Sequence, residues 1–148
     1  MTLKERLQND LKHAMRQRDE VRKRTLRMAL AAIKNQEIEA RGELSDADVA
    51  AILQKEAKQR HETLDELAGV DRPDLFAAEQ AELEVLTEYL PKQLGREEIA
   101  DLARQVIADV GAEGPRQMGQ VMRVLMPQLK GRADGKLVNE VVRELLSH

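Results

Sequence analysis

Few side chains in this sequence stand at spacings that would let them react together. His61-Glu62-Thr63-Leu64-Asp65 has the outline of the H-E-x-x-H zinc-peptidase signature, in which two ligands one helical turn apart grip a metal. Asp65 occupies the place of the second histidine. His61 and Asp65 would share a helix face, but two ligands on an exposed helix do not make a metal site, so a solvated surface is the favoured reading. The other histidines, His13 and His148, are far away in sequence, and there is no cysteine for thiolate or disulfide chemistry. Carboxylates are dense from Glu79 to Glu88. General acid–base work needs a pocket that shifts their pKa values, and no pocket is visible in a sequence. Phosphate-binding loop, dinucleotide fingerprint and nucleophile elbow are all missing. No catalytic residue, metal ligand or cofactor is assigned.

Binding is better represented. Lys130-Gly131-Arg132-Ala133-Asp134-Gly135-Lys136 sets three basic side chains around a loop made pliable by two glycines. Asp134 is placed to cap a following helix, whose first N–H groups together with the nearby cations could hold a phosphate. A capped turn whose charges merely solvate it fits the same residues equally well. Met118, Met122 and Met126 recur every four residues, as core-filling methionines do. Gly119 beside them hints at close helix–helix approach. A second basic group, Arg16, Arg18, Arg22, Lys23, Arg24 and Arg27, points several ways around a helix. It lacks the aromatic neighbours that stack single-stranded bases, so a solvated face is favoured there.

The elements that must carry these residues are helical. Leu3, Leu7, Leu11 and Ala14 mark a helix over residues 2–18, and Asp19 caps a second from about Glu20 to Ala40, which Arg41-Gly42 closes. Ser45 or Asp46 opens a third, running to about Ala68. It is so polar between Gln54 and Thr63 that it is expected to stand in water, held by pairs such as Glu56/Arg60 and Lys58/Glu62. Pro73 starts a fourth helix whose apolar side would be Leu75, Phe76, Leu83, Leu86 and Leu90. Pro91 breaks the chain at the best candidate boundary. Three short apolar-periodic segments follow, and a three-helix bundle is their natural packing. The expected domains are therefore 1–91 and 92–148, in an all-α fold.

Composition agrees with helices packed on helices. Of 148 residues, 42% are apolar and 34% charged, while Phe76 and Tyr89 are the only aromatics. No segment approaches a membrane span, and the charged amino terminus lacks the apolar run of a secretory leader, so a soluble cytoplasmic protein is expected. The net charge of −3 is unevenly spread. Residues 1–41 carry +5, residues 42–90 carry −9 and the remainder +1, so the middle would repel a polyanion while either end could meet one.

Several motifs, taken in order, carry a resemblance. Leu7-x-x-Asp10-Leu11-Lys12, the Arg27-Met28 pair, Tyr89-Leu90-Pro91-Lys92-Gln93-Leu94, Met118-Gly119-x-x-Met122 and Lys130-Gly131-x-Ala133-Asp134-Gly135 together resemble the GatB/YqeY family over essentially the whole chain. The carboxy-terminal part is similar to the tail domain of the B subunit of glutamine-dependent tRNA amidotransferase, a carbon–nitrogen ligase. The resemblance implies an extended amino-terminal helical unit, a carboxy-terminal three-helix bundle and a tail that engages tRNA. The chain is too short to hold that enzyme's catalytic domain, so any amidotransferase activity would need a separate catalytic subunit. The expected function is a tRNA-associated accessory module that meets RNA backbone through Lys130, Arg132 and Lys136, assisted by Lys92 and Arg123. The alternative is a protein-interaction adaptor without RNA binding, docking a basic partner through the acidic segment 42–90.

Overall fold

A computed structural model describes residues 1–147 and shows an all-α protein: seven α-helices and one 3-10 turn, with no strand among the described residues. The chain divides into two compact units, Met1–Pro91 and Lys92–His148, each with its own core. His148 lies outside the described residues.

The first unit holds α1 (Leu3–Gln17), α2 (Glu20–Ala40), α3 (Asp46–Leu67) and α4 (Pro73–Thr87). Side-chain caps set where these helices begin. Thr2 accepts from the Glu5 N–H at 3.1 Å, Asp19 from the Arg22 N–H at 3.1 Å, and Ser45 with Asp48 forms a reciprocal capping box. The ends of α1 and α2 are less expected. Both close through a left-handed arginine, Arg18 at φ 57° and Arg41 at φ 56°. Gly42 was the expected carrier of that conformation. The Schellman pairing instead uses the Arg41 N–H to Ile38 and the Gly42 N–H to Glu37. The core joins Leu7 of α1, Leu26, Ala29 and Ile33 of α2, Val49 and Leu53 of α3, and Val85 and Leu86 of α4. Each large side chain removed from water contributes roughly 1.5–3 kcal/mol.

Two expectations are corrected in this unit. The polar stretch of α3 stands only half in water: Lys55, Lys58, Gln59, His61 and Glu62 are exposed, but α4 packs along the other side and Arg60 is only 8% exposed. Its guanidinium reaches Glu82 at 3.1 Å and Glu56 and Glu79 at 3.6 Å, so ion pairing makes the burial tolerable. Leu75 and Phe76, assigned to the apolar side of α4, are exposed. That helix turns inward only from Glu79 onward.

The second unit holds α5 (Arg96–Val110), a 3-10 turn at Pro115–Gln117, α6 (Met118–Leu129) and α7 (Gly135–Leu146). The three helices pack pairwise around Ile99, Ala103, Val106, Val121, Leu125, Leu129, Val138 and Val142. Met118, Met122 and Met126 pack at the margin of this core, the ordinary role of methionine. Gly119 faces open space, so it marks no close helix approach.

Candidate nucleic-acid interface

The basic loop is built from the end of α6 and the start of α7. Leu129 closes α6 inside the core, and its carbonyl accepts the N–H groups of Arg132 at 2.8 Å and Ala133 at 3.1 Å. Gly131, at φ 77°, supplies the left-handed step of this turn, and it and Ala133 are buried. Burying those two residues pushes the intervening and flanking side chains of Lys130 and Arg132 outward, where both are exposed. Asp134 then caps α7, accepting from the Lys136 N–H at 3.3 Å. Its carboxylate therefore already supplies an anion at the positive end of α7. What the loop offers a partner is its side-chain cations rather than a vacant helix start.

A second segment is tied to this loop. The Leu94 N–H donates to the Arg132 carbonyl at 2.8 Å, and the Gln93 amide donates to the Gly131 carbonyl at 2.9 Å. Lys92 is thereby held beside the loop, 81% exposed and only loosely paired with Glu98 at 3.5 Å. Lys92, Lys130, Arg132 and Lys136 thus gather at one end of the unit. Arg123 stays apart: it is exposed on α6, seven residues and so roughly 10 Å further along the axis. Arg132 has one fixed task, since its Nη1 donates to the Gln128 carbonyl at 3.2 Å and so caps the end of α6.

The other sequence candidates are dispersed. His61, Glu62 and Asp65 are exposed on α3, and among the described residues no three metal-binding side chains converge. Half of the amino-terminal basic group, Arg22, Lys23 and Arg24, is engaged within its own unit, while Arg16, Arg18 and Arg27 are exposed. Arg22 makes a two-pronged pair with Glu88 at 2.8 and 2.9 Å, Arg24 meets Glu82 at 3.1 Å, and Lys23 meets Glu20 at 3.2 Å. Those pairs also engage part of the acidic middle, so residues 42–90 do not form one continuous anionic face. No helix among the described residues is long and apolar enough to cross a membrane.

One cluster escaped sequence reasoning. Tyr89 is buried and donates its hydroxyl to Asp10 at 2.6 Å; Arg22 reaches the same oxygen at 3.3 Å, and Arg6 lies 4.7 Å above the ring. Burial, and then the bond to Asp10, push the phenol up to about 12. The Arg22 pairing holds the Glu88 carboxyl below its usual range. The available signals were a lone tyrosine just ahead of Pro91 and the presence of both Asp10 and Tyr89 in the motifs that carry the resemblance, with nothing in the sequence to join them.

Comparison with known proteins decides the family. Residues 4–146 match the profile of the family described as Yqey-like protein. The chain belongs to the YqeY-like family. Over 95% of its length this YqeY-like chain is 33% identical to "Altered inheritance of mitochondria protein 41, mitochondrial" of Pyrenophora tritici-repentis, covering 79% of that protein. Proteins of the same description from Lachancea thermotolerans and Saccharomyces cerevisiae are 38% and 36% identical over 57% of the chain. In those two the match spans 46%, about half, of the relative's length. These names overturn the cytoplasmic expectation, since the curated relatives are named as mitochondrial. The expectation rested on a criterion for secretory leaders alone, whereas mitochondrial transit segments are amphipathic and arginine-rich. Several motif residues of the YqeY-like chain now have structural tasks: Asp10 and Tyr89 bond each other, Gln93 bonds Gly131, and the Met28 sulfur lies 3.1 Å from Arg60.

Proposed function

We propose that this chain is an RNA-backbone-binding accessory module, with folded tRNA as the ligand class and the basic end of the second unit as the contact surface. The observation that carries the reading is the gathering of Lys92, Lys130, Arg132 and Lys136, exposed, at one end of the second unit, on a frame braced by the Gln93 and Leu94 hydrogen bonds. Cations grouped on a braced backbone suit phosphates on a folded duplex-like surface, where charge and shape are read rather than bases. With no aromatic platform beside them, sequence-specific stacking has no part in the contact. The resemblance of the carboxy-terminal motifs to the amidotransferase tail favours tRNA over other RNA. It brings no chemistry of its own, because the chemistry of that enzyme belongs to a domain outside the likeness.

The test is a titration against folded tRNA, total RNA and duplex DNA at low and physiological salt. Saturable binding that prefers tRNA is expected. Lys130→Ala with Arg132→Ala weakens it and lowers the slope of log affinity against log salt by about two, one for each lost phosphate contact. Unchanged affinity in that double variant removes the loop from the interface, and no binding at low salt removes the function. A stimulatory role is checked by adding the chain to a complete tRNA-dependent amidotransferase, where an effect on amidation rate is required.

A further inference from the structure

The first two turns of α4 carry an apolar run that is only partly covered. Every residue from Pro73 to Ala78 is exposed, although Leu75, Phe76, Ala77 and Ala78 are consecutive. Leu75 keeps 42% of its surface in solvent, Phe76 38%, and Val70 in the preceding turn 52%. Four exposed apolar residues in a row contradict the patterning of a solvent-facing helix and are characteristic of a contact surface. Packing within the unit does not account for them, since α4 buries residues only beyond this point.

The charge along this stretch is predominantly negative. Between His61 and Ala78 stand Glu62, Asp65, Glu66, Asp71 and Asp74 against a single cation, Arg72. Arg72 and Asp74 offset each other, the guanidinium donating through Nε and Nη2 to the two Asp74 oxygens at 3.2 Å, which leaves Glu62, Asp65, Glu66 and Asp71 as the net negative charge. An apolar centre within a carboxylate rim repels RNA and anionic lipid alike. It also disfavours a second copy of this chain, because a two-fold contact would set one acidic rim against the other. We propose that the α3–α4 tip docks a basic amphipathic helix of a partner protein, with Leu75, Phe76 and Val70 receiving its apolar face and the acidic rim its lysines and arginines. This is the helix-on-apolar-surface mode of recognition, with the rim selecting for charge. It concerns a different unit and a different ligand from the RNA reading and stands without it.

The probe is a synthetic helix of about 18 residues with leucines at i, i+3, i+4 and i+7 and lysines elsewhere. It is added to the full-length 15N-labelled chain at about 0.15 M salt. Expected are saturable binding and amide shifts clustered between Leu64 and Ala78. Leu75→Ala with Phe76→Ala, both surface changes checked by circular dichroism, should weaken binding about tenfold. Replacing the peptide lysines with glutamates should abolish it. Unchanged affinity in the double variant, shifts centred elsewhere, or equal binding of a scrambled peptide of the same composition overturns the proposal. Concentration-dependent dimerisation lost in the same variant would assign the tip to a second copy instead.

Discussion

Tyr89 is the only tyrosine in a chain without tryptophan, so phenolate absorbance reports on this one buried group. In the native chain the titration midpoint is expected at about 12. In denaturant it should fall to about 10, and Asp10→Asn should lower the native value by removing the charged acceptor. Because the folded value lies above the unfolded one, the stability linked to Tyr89 is complete below about pH 10 and is lost as pH rises through 12. Glu88 behaves oppositely. Its depressed carboxyl adds stability above the ordinary carboxylate range, and this is lost as pH falls through the folded value; half exposure and salt screening keep the effect small. Arg60 is a larger stake. Arg60→Ala strands Glu56, Glu79 and Glu82 around a vacated guanidinium position, and urea unfolding should show a loss of about 3–5 kcal/mol. A loss under 1 kcal/mol would mean that water replaces the arginine readily.

At the scale of elements, the bracing of one segment against another can be tested apart from charge. Gln93→Ala removes the amide bond to Gly131 and alters no cation. It should cost the second unit about 1 kcal/mol and, if the basic end meets RNA, reduce affinity while leaving the salt slope unchanged. A shallower slope would show that the frame does more than hold the cations in place. Helix positions were readable in advance where a local signal exists: Asp19 and Ser45 as caps, Pro73 in a first turn, Asp134 ahead of α7. Long-range pairing left no such signal. Nothing local to Gln54–Thr63 reveals that Glu79 and Glu82 lie across from Arg60, so a polar run looked solvated. The spacing of Leu75 and Phe76 fitted a buried stripe, because periodicity locates an apolar face without saying what covers it. At the basic end the loop cations were legible from their glycine-rich setting. The bonds that bring Lys92 beside them link residues 38 apart in the chain and appear only in three dimensions.

For the whole molecule, two separate cores predict that residues 92–148 expressed alone keep a helical spectrum and a cooperative melt. Stability should be marginal, since a domain of about 60 residues buries only about 60% of its unfolded surface. A fragment without a melt would mean that this core depends on the first unit. Two ion pairs in that first unit join the cationic segment 1–41 to the anionic segment 42–90, Arg22 with Glu88 and Arg24 with Glu82. That arrangement sets an order of events on the ribosome. Arg24 precedes its partner Glu82 by 58 residues, and Arg22 precedes Glu88 by 66. At ordinary rates of synthesis the cationic helix pair therefore waits about 3–13 s for its carboxylates. Through that interval Arg24 lacks the carboxylate it meets in the folded unit and Arg22 has only its neighbour Asp19, so the long-range pairs can close only after α4 has emerged.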